Sequence, residues 1–209
     1  MRYTMDFILA THNPNKAKEV KAMFTDFAVH GHRLLTLADL GYHQDIIEDG
    51  ATFAENAIIK ATVVHNWMLS HNPKAEYIFL ADDSGLEIDA LDKQPGVHSA
   101  RYLGRDTPYT VKNQKILEQL ANVPESERTA RFVCVIAYVR NGQTRTTEGI
   151  LEGRIAFEAV GEGGFGYDPI FFLPNKNMTL AQISAEEKNT ISHRAIALRR
   201  MWDLLMSLM

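Results

Sequence analysis

A short apolar segment that ends on two adjacent aspartates constrains the fold of this chain more than any other stretch. Residues 78–81 (I-F-L-A) form a continuous apolar run, which is typical of a strand buried on both faces of a sheet. The pattern predicts that this strand ends at residues 82–83 (D-D) and that the chain then turns at residues 84–85 (S-G). Apolar and acidic residues alternate over residues 86–90, so we expect a second strand with one polar face.

The two aspartates indicate a bound cation, because a buried charge must be paired or coordinated. Mg²⁺ suits this expectation, since it usually takes one or two carboxylates together with phosphate oxygens and water. The alternative is an acidic turn that only caps the strand. This segment alone does not decide between the two.

Composition limits the class of protein and of partner. With 209 residues, 45% of them hydrophobic and 23% charged, the chain is expected to form one globular domain over residues 1–209, folded as two lobes. Its net charge of −4 argues against a protein that coats nucleic acid by bulk charge. A small anion remains possible, because it needs only a local cluster of Lys and Arg.

No stretch of the sequence predicts a targeting or membrane-spanning segment. The first ten residues lack a long apolar core and a cleavage pattern, and no apolar run reaches the ~18 residues of a membrane span. The lone Cys134 cannot form an internal disulfide, which favours a reducing compartment. We therefore expect a cytoplasmic protein that binds neither membrane nor nucleic acid.

The first strand leads into a helix whose N-terminus has the features of a phosphate-binding site. Residues 6–10 (D-F-I-L-A) predict a buried strand, Asn13 is a good N-cap, and Pro14 suits the first helical position. The N–H groups of residues 15–17 are then expected to be free, beside the ammonium group of Lys16. The alternative is a plain strand-to-helix turn that binds nothing.

An acidic loop precedes the second helix. Glu48 lies in this loop, and residues 52–55 (T-F-A-E) form a capping box that predicts the helix start. Asn56 and Lys60 share one face of that helix. In one interpretation Glu48 joins Asp83 around a metal ion; in the other the loop is solvated and Lys60 is exposed.

The middle of the chain predicts further strands of a mixed sheet. Residues 107–108 (T-P) open a helix, and residues 131–140 are strongly strand-like. Residues 141–142 (N-G) then give a hairpin signal, followed by a returning strand at about residues 144–151. Such a set of strands favours a mixed rather than a purely parallel sheet.

A glycine-rich segment, residues 161–169, precedes another strand. Its glycines let the backbone approach a ligand closely, while Phe165 and Tyr167 offer ring faces on which a planar base can stack. A strand rather than a helix follows, so this is not the dinucleotide-binding fingerprint. The alternative is a glycine turn whose aromatic rings only pack.

The last segment brings cations to the start of the final helix. Residues 184–187 (S-A-E-E) form a second capping box, and Lys188, His193 and Arg194 follow. Positive side chains oppose the dipole at a helix start, so a bound anion would explain their position. An exposed basic corner is the alternative.

Together, six segments resemble the inosine triphosphate pyrophosphatase family, which hydrolyses non-standard purine nucleoside triphosphates. The segments occur in the order of that family and at similar spacing, and the resemblance extends from Phe7 to the last helix. Any one of them is common, whereas six in order are specific. They are T-H-N-P-N-K (11–16), E-D-G-A-T-F-A-E-N-A (48–57), A-D-D-S-G-L (81–86), P-G-V-H-S-A-R-Y (95–102), G-G-F-G-Y-D-P-I-F (163–171) and E-E-K-N-T-I-S-H-R-A (186–195).

The resemblance implies a two-lobed α/β fold in which helices flank a long mixed β-sheet, with a nucleotide cleft between the lobes. It also implies a homodimer, Mg²⁺ dependence, and hydrolysis of the triphosphate to a monophosphate and pyrophosphate. By position, the metal ligands of the family fall on Glu48 and Asp83, and Asp83 is also its catalytic proton acceptor. The implied substrate-binding residues are Thr11, Asn13 and Lys16 for the triphosphate, Ser84, and, for base and sugar, Phe165, Gly166, Tyr167, Asp168, Lys188, His193 and Arg194.

The chemistry of these residues agrees with the implied reaction, and two rival functions remain. Hydrolysis between the α- and β-phosphates needs a positioned water, a metal ion and cations near the developing charge. One rival keeps the fold but acts on pyrimidine or modified nucleotides. The other is a nucleotide-binding regulator that does not hydrolyse, against which the intact set of Glu48, Asp83 and Lys16 argues.

Overall fold

The computed structural model describes residues 5–28, 31–73 and 76–208, which form an α/β fold. Among the helices described there, none is long and apolar enough to cross a membrane. The strands are β1 (Asp6–Leu9), β2 (Arg33–Thr36), β3 (Tyr77–Ile88), β4 (Thr129–Arg140), β5 (Gln143–Ile155), β6 (Phe171–Leu173) and β7 (Met178–Thr179). The α-helices are α1 (Pro14–Ala28), α2 (Phe53–His71), α3 (Tyr109–Gln119), α4 (Ala185–Ile191) and α5 (His193–Leu208).

The strands form a mixed sheet, as the sequence predicted. Its order in the described part of the chain is β2-β1-β3-β4-β5-β6-β7. β1 pairs in parallel with β2 and β3, whereas the β5–β6 and β6–β7 pairs are antiparallel. The hairpin between β4 and β5 turns at Asn141 and Gly142, whose φ angles of 50° and 73° suit the left-handed turn that this dipeptide favours.

The turn predicted at residues 84–85 is wrong, because β3 runs through them without interruption. The prediction treated two carboxylates as too costly to keep inside a strand. Both Asp82 and Asp83 are nevertheless buried in β3, and each has a cationic partner, so the cost of burying them is offset. The second strand predicted to reach Ala90 ends earlier, and that residue lies in a short 3₁₀ helix (Asp89–Leu91).

Of the two predicted capping boxes, one is complete and one is half formed. At the start of α2, the side chain of Thr52 accepts from the N–H of Glu55, and the Glu55 carboxylate accepts from the N–H of Thr52. At the start of α4, Ser184 accepts from the N–H of Glu187. The Glu187 carboxylate instead pairs with Lys176, at 2.5 Å. In the second capping box, an ion pair with Lys176 therefore takes the place of the hydrogen bond from the Ser184 N–H to the Glu187 carboxylate.

The chain divides into two compact units, and the first comprises residues 1–83, 134–149 and 194–209. Its core contains apolar side chains of α1 and α5 together with those of β1, β3 and β4. Phe7 of β1 lies at its centre, with ring contacts to Phe24 and Trp202. This core holds the first turn of α1 and the start of α5 against the same strands.

The second unit comprises residues 84–133 and 150–193. Its core joins Leu86 and Ile88, at the end of β3, with Ile116 and Leu120 from the region of α3. Apolar residues of β6 and of the glycine-rich segment complete this cluster. The glycine-rich segment is thus anchored to this core through β6, the strand that follows it in sequence.

Candidate functional site

The turn between β1 and α1 is built around Asn13. Its Oδ1 accepts hydrogen bonds from the N–H groups of Asn15 (3.0 Å) and Lys16 (3.2 Å), and its carbonyl accepts from that of Ala17 (3.0 Å). Asn13 therefore caps the helix as expected. The prediction of free N–H donors in the first turn is wrong, because Asn13 satisfies all three. The N–H of Asn13 in turn donates to Oγ1 of Thr11 (3.2 Å).

Lys16 belongs to a buried ion network within the first unit. Its Nζ lies 3.0 Å from Oδ2 of Asp82, and Nη2 of Arg194 lies 3.2 Å from the same oxygen. Arg194 also contacts Glu19 at 2.5 Å, and only 1% of its side chain is exposed. The network joins α1, β3 and α5, which are distant in sequence.

Asp82 keeps its charge although it is fully buried. Burial alone would raise the pKa of Asp82, but Lys16 and Arg194, followed by Lys60, hold it well below its usual range. Burial would likewise lower the pKa of Arg194, and the carboxylates around it raise that pKa instead. The guanidinium of Arg194 is thus held by carboxylates, and its contact with base or sugar stays a prediction.

A second ion cluster surrounds the ammonium group of Lys60. Its Nζ lies 2.5 Å from Oε2 of Glu48 and 2.9 Å from Oδ1 of Asp83. These three residues come from α2, from the loop before it and from β3, so separate segments converge on one cation. The alternative of an exposed lysine is wrong, because only 8% of the Lys60 side chain is exposed.

Asn56 links the acidic loop to Asp83. Its Nδ2 donates to Oδ2 of Asp83 (3.3 Å), and its Oδ1 accepts from the N–H of Gly50 (2.9 Å). A Cβ at residue 50 would lie only 2.8 Å from that amide oxygen, so a larger residue there would displace Asn56. Since both ends of the buried amide are used, Asn56 holds one oxygen of Asp83 while Lys60 holds the other.

The environment of Asp83 favours proton acceptance. Burial raises the pKa of Asp83, and the nearby Glu48 also raises it, while Lys60 and Lys16 act in the opposite direction. A carboxylate with a raised pKa is a better base near neutral pH than an ordinary one. For Lys60, burial would lower the pKa, but the three carboxylates near it raise it, so the ammonium stays charged.

Glu48 and Asp83 suit a Mg²⁺ ion that binds together with a nucleotide. Both offer hard oxygen atoms, and the contacts of Lys60 show that one positive charge can touch both. Within residues 5–28, 31–73 and 76–208, no group of three or more His, Cys, Asp or Glu side chains is placed to hold a metal. Two carboxylates nevertheless suffice for Mg²⁺, because phosphate oxygens and water usually complete its coordination.

In the second unit, the glycine-rich segment folds around the carboxylate of Asp168. Its Oδ2 accepts from the N–H of Phe165 (2.7 Å) and from Nζ of Lys188 (2.5 Å). A Cβ on Gly164 would lie 2.0 Å from that oxygen, and the φ of Gly164 is +69°, so the loop requires glycine there. Nζ of Lys188 also lies 4.7 Å from the ring centroid of Phe165, which is half-buried.

Tyr167 anchors this loop to the core of the second unit. Its hydroxyl donates to the carbonyl of Ser99 (2.8 Å), and its ring meets Tyr109 edge-on with centroids 5.2 Å apart. The neighbouring carbonyl of Gly166 accepts from Nδ2 of Asn113 (3.1 Å). Only 3% of Tyr167 is exposed, so a contact with a base would have to come from its main chain.

The cations predicted at the start of the last helix are buried. The ring of His193 stacks on Phe132, with centroids 4.8 Å apart and an angle of 13° between the rings. Lys188, His193 and Arg194 are each at most 5% exposed. The exposed-corner alternative is therefore wrong. A bound anion is not needed to balance Lys188 or Arg194, because each already contacts a carboxylate.

The predicted site residues fall into two groups, one in each compact unit. Buried ion pairs fix Arg194 in the first group and Lys188 and Asp168 in the second. The group in the first unit contains Thr11, Asn13, Lys16, Glu48, Asp83 and Arg194. The group in the second unit contains Ser84, Phe165, Gly166, Tyr167, Asp168, Lys188 and His193.

Three residues near the first group were not predicted to belong to the site, and a fourth, Asp82, was considered only together with Asp83. Asn56 and Lys60 had a signal in the sequence, because they are polar residues on the face of α2 that also carries small apolar residues. Asp82 was grouped with Asp83, although its cations are different. Glu19 gave no signal, since it reaches the network only through Arg194, 175 residues later.

The sequence matches known proteins over nearly its whole length. A family model described as the Ham1 family matches residues 7–204. A protein of Clostridium perfringens named dITP/XTP pyrophosphatase is 43% identical over 200 residues, which cover 95% of this chain and 96% of that one. A Bacillus subtilis protein of the same name is 44% identical over 199 residues, or 95% of this chain and 96% of its own length.

Solved structures show the same architecture. The Ham1 protein of Staphylococcus aureus has a TM-score of 0.81 and 35% identity, covering 98% of this chain and all of that one. A HAM1 protein from Coxiella burnetii has a TM-score of 0.82 and 38% identity over the same shares of the two chains. The likeness extends along the whole chain and is not limited to one of its two compact units.

Proposed function

Since this chain belongs to the Ham1 family, we propose that it hydrolyses non-standard purine nucleoside triphosphates, among them ITP, dITP and XTP. The products are the nucleoside monophosphate and pyrophosphate, and the reaction depends on Mg²⁺. The names of its relatives, dITP/XTP pyrophosphatase, support the substrate class. The observation that carries the proposal is the convergence of Glu48 and Asp83 on one cation.

Asp83 is the proposed catalytic base. Bound at Glu48 and Asp83, Mg²⁺ would supply Lewis acidity to the phosphate chain and lower the pKa of a bound water. Asp83 orients the attacking water and takes its proton, a task for which the pKa raised by burial suits it. Asn56 supports this role, because its amide fixes one carboxylate oxygen of Asp83.

The phosphate chain is proposed to bind beside the first turn of α1. Lys16 offers a positive charge, and the positive end of the helix dipole adds to it. Since Lys16 contacts Asp82 at 3.0 Å, a phosphate would share this lysine with the aspartate. Thr11 and Asn13, which shape the turn, are assigned to the triphosphate with Lys16, and Ser84 is assigned a contact with the substrate.

The base and sugar are proposed to bind at the loop around Phe165. Its ring offers a stacking surface, and main-chain groups of Gly166 and Tyr167 can reach the base edge. Asp168 and Lys188 hold this loop in shape through their buried ion pair. His193 and Arg194 are assigned to the same part of the substrate, as the family resemblance implies.

A homodimer is the proposed assembly. Phe157 is 64% exposed and Val111 is 51% exposed, both in the second unit, so apolar surface is available for a contact between copies. Sedimentation equilibrium would show twice the chain mass of 23.6 kDa. A monomer at all concentrations would contradict this assembly without affecting the proposed chemistry.

Product analysis with ITP tests the function directly. With Mg²⁺, the enzyme should release IMP and pyrophosphate in equal amounts, and removal of the metal with EDTA should stop turnover. Orthophosphate and IDP as products would contradict the proposal. Faster turnover of pyrimidine or modified nucleotides would favour the first rival, and nucleotide binding without turnover would favour a regulator.

A further inference from the structure

The ammonium group of Lys60 bridges Glu48 and Asp83, the two proposed metal ligands. Its Nζ is 2.5 Å from an oxygen of Glu48 and 2.9 Å from an oxygen of Asp83. Among the described residues, the ammonium group donates hydrogen bonds to these two carboxylates. The ammonium therefore uses one oxygen of each proposed metal ligand.

From this geometry we propose that Lys60 is a built-in competitor of the divalent metal ion, which binds only when the ammonium leaves both carboxylates. The inference rests on the proposed metal site. Two cations cannot share the same pair of oxygens without strong repulsion at such short range. The state with Lys60 in place and the state with metal in place therefore exclude each other.

The surroundings of Lys60 allow this exchange. The lysine ammonium is a point charge on a flexible stem of four carbons, so it can move without unfolding α2. Asn56 holds Oδ2 of Asp83, the oxygen that Lys60 does not use, so the carboxylate keeps its orientation when the lysine departs. Glu48 is less confined, with 32% of its side chain exposed.

Lys16 is the matched contrast within the same unit. Its ammonium contacts Asp82, at 3.0 Å, and within the described part of the chain it pairs with neither Glu48 nor Asp83. Removing Lys16 takes away a nearby positive charge but frees neither proposed metal ligand. The two lysines thus separate direct occupation of the metal position from a general electrostatic effect.

The competition weakens metal binding to the free protein. When a ligand binds only the fraction of molecules in which its site is open, its apparent dissociation constant rises by the inverse of that fraction. If Lys60 occupies the carboxylates in about nine molecules of ten, its removal should tighten metal binding about tenfold. The substitution Lys60→Met keeps the apolar stem of the side chain and removes the charge.

Titration of the nucleotide-free protein with Mn²⁺, followed by the electron spin resonance signal of the free ion, tests the proposal. Lys60→Met should bind at least ~10-fold more tightly than the wild type, and Lys16→Met less than about threefold more tightly. Glu48→Gln combined with Lys60→Met should lose the gain, because one ligand charge is then missing. Equal affinities of Lys60→Met and the wild type, or equal gains from both lysine variants, would overturn the proposal.

A measurement on the wild type keeps the proposal testable if Lys60→Met does not fold. With ¹⁵N-labelled lysine side chains, saturating Mg²⁺ should shift the Nζ resonance of Lys60, which loses both carboxylates. The resonance of Lys112, whose ammonium donates to the carbonyl of Ala100 in the second unit, serves as the internal control. A Lys60 resonance that does not move would refute the exchange.

The outcomes also separate this inference from the proposed function. Mg²⁺-dependent release of pyrophosphate from ITP by the wild type, together with unchanged metal affinity in Lys60→Met, would refute the competition and leave the enzyme assignment standing. Absence of turnover, together with absence of metal binding in every variant, would refute both.

Discussion

The two neighbouring aspartates of β3 have different partners and different charge environments. Asp82 contacts Lys16 and Arg194, and its pKa is lowered, whereas burial raises the pKa of Asp83. The sequence identified both residues, because two carboxylates after a buried apolar run are unusual. It could not assign the cations, since these come from α1, α2 and α5, far apart along the chain. Their pairing is a property of the tertiary structure.

Asp83→Asn should lower kcat for ITP by at least ~10²-fold and leave the fold intact, because it removes a ligand charge and the proton acceptor together. The single amide oxygen can accept from Asn56 or from Lys60 but not from both, so the unfolding temperature should fall, and kinetics are measured below it. Steady-state kinetics at saturating Mg²⁺ measure the effect. Asp49→Asn, an exposed neighbour in the same acidic loop, is the control and should behave like the wild type. Near wild-type turnover of Asp83→Asn would remove this residue from catalysis.

At the scale of helices and strands, local sequence patterns correctly predicted several caps and turns that depend on contacts between residues close in sequence. The cap of α1, the capping box of α2 and the hairpin between β4 and β5 all depend on residues within a few positions of one another, and all were predicted. The break in β3 was wrong because the cations that stabilise its aspartates lie on helices. The free N–H groups at the start of α1 were wrong for the opposite reason, since the predicted cap, Asn13, itself consumes them.

Asp82→Asn should destabilise the protein by about 3–5 kcal/mol at pH 7, because it leaves buried cations without their shared carboxylate. Three elements, α1, β3 and α5, lose a common contact. The free energy of unfolding from urea titration measures the loss. Asp6→Asn is the control, since Asp6 pairs with an Arg33 side chain that is 71% exposed, and such a pair contributes at most about 1 kcal/mol. Similar losses in both variants would contradict this account of the ion network.

The stability difference between the wild type and Asp82→Asn should show a defined pH dependence. Lys16 and Arg194 lower the pKa of Asp82 in the folded protein, so the unfolded state takes up the proton first as the pH falls. The stabilisation is fully present above the unfolded pKa of about 4 and is lost as the pH falls through the lower folded value. The difference between the wild type and Asp82→Asn should therefore be constant from pH 5 to 7 and shrink below about pH 4. A difference that grows in acid would contradict the assigned direction of the shift.

At the scale of the whole molecule, the family and the fold were predicted from the order of six short segments, and no single segment was sufficient. They identified the family and a mixed α/β sheet, because their spacing reflects the complete fold. Of the residues predicted for base and sugar, Arg194 lies in the first compact unit and the others lie in the second, so the predicted sets do not coincide with the units. What the sequence could not provide is the burial of Arg194, His193 and Tyr167, because burial depends on packing partners distant in sequence.

Substrate choice depends on residues from several segments of the chain. We expect kcat/KM for ITP and XTP to exceed that for ATP by at least ~10²-fold. Hypoxanthine and xanthine carry an oxygen at C6, which accepts from the N–H donors and cations of the proposed base site. Adenine carries an amino group there, so donors would face each other at a cost of about 1–3 kcal/mol for each unpaired group. GTP should also be disfavoured, through its 2-amino group.

A side-by-side assay of pyrophosphate release with ITP, XTP, GTP and ATP measures this selectivity. Stacking on Phe165 should not contribute to the selectivity among these nucleotides, because every purine offers a ring face. Phe165→Leu should accordingly raise KM for all four nucleotides by similar factors. Comparable kcat/KM for ATP and ITP would overturn this account of the base site and leave the pyrophosphatase assignment in place.

The ion pair between Asp82 and Arg194 joins two residues that the ribosome adds at well-separated times. Arg194 is made 112 residues after Asp82, and at 5–20 residues per second the aspartate waits on the order of 10 s for its arginine. During that time the apolar side chains of β1, β3 and β4 also lack those of α5, which share their core. We therefore expect the nascent chain to expose apolar surface until α5 has been made. A message truncated before codon 194 would yield a degraded polypeptide rather than a slower enzyme.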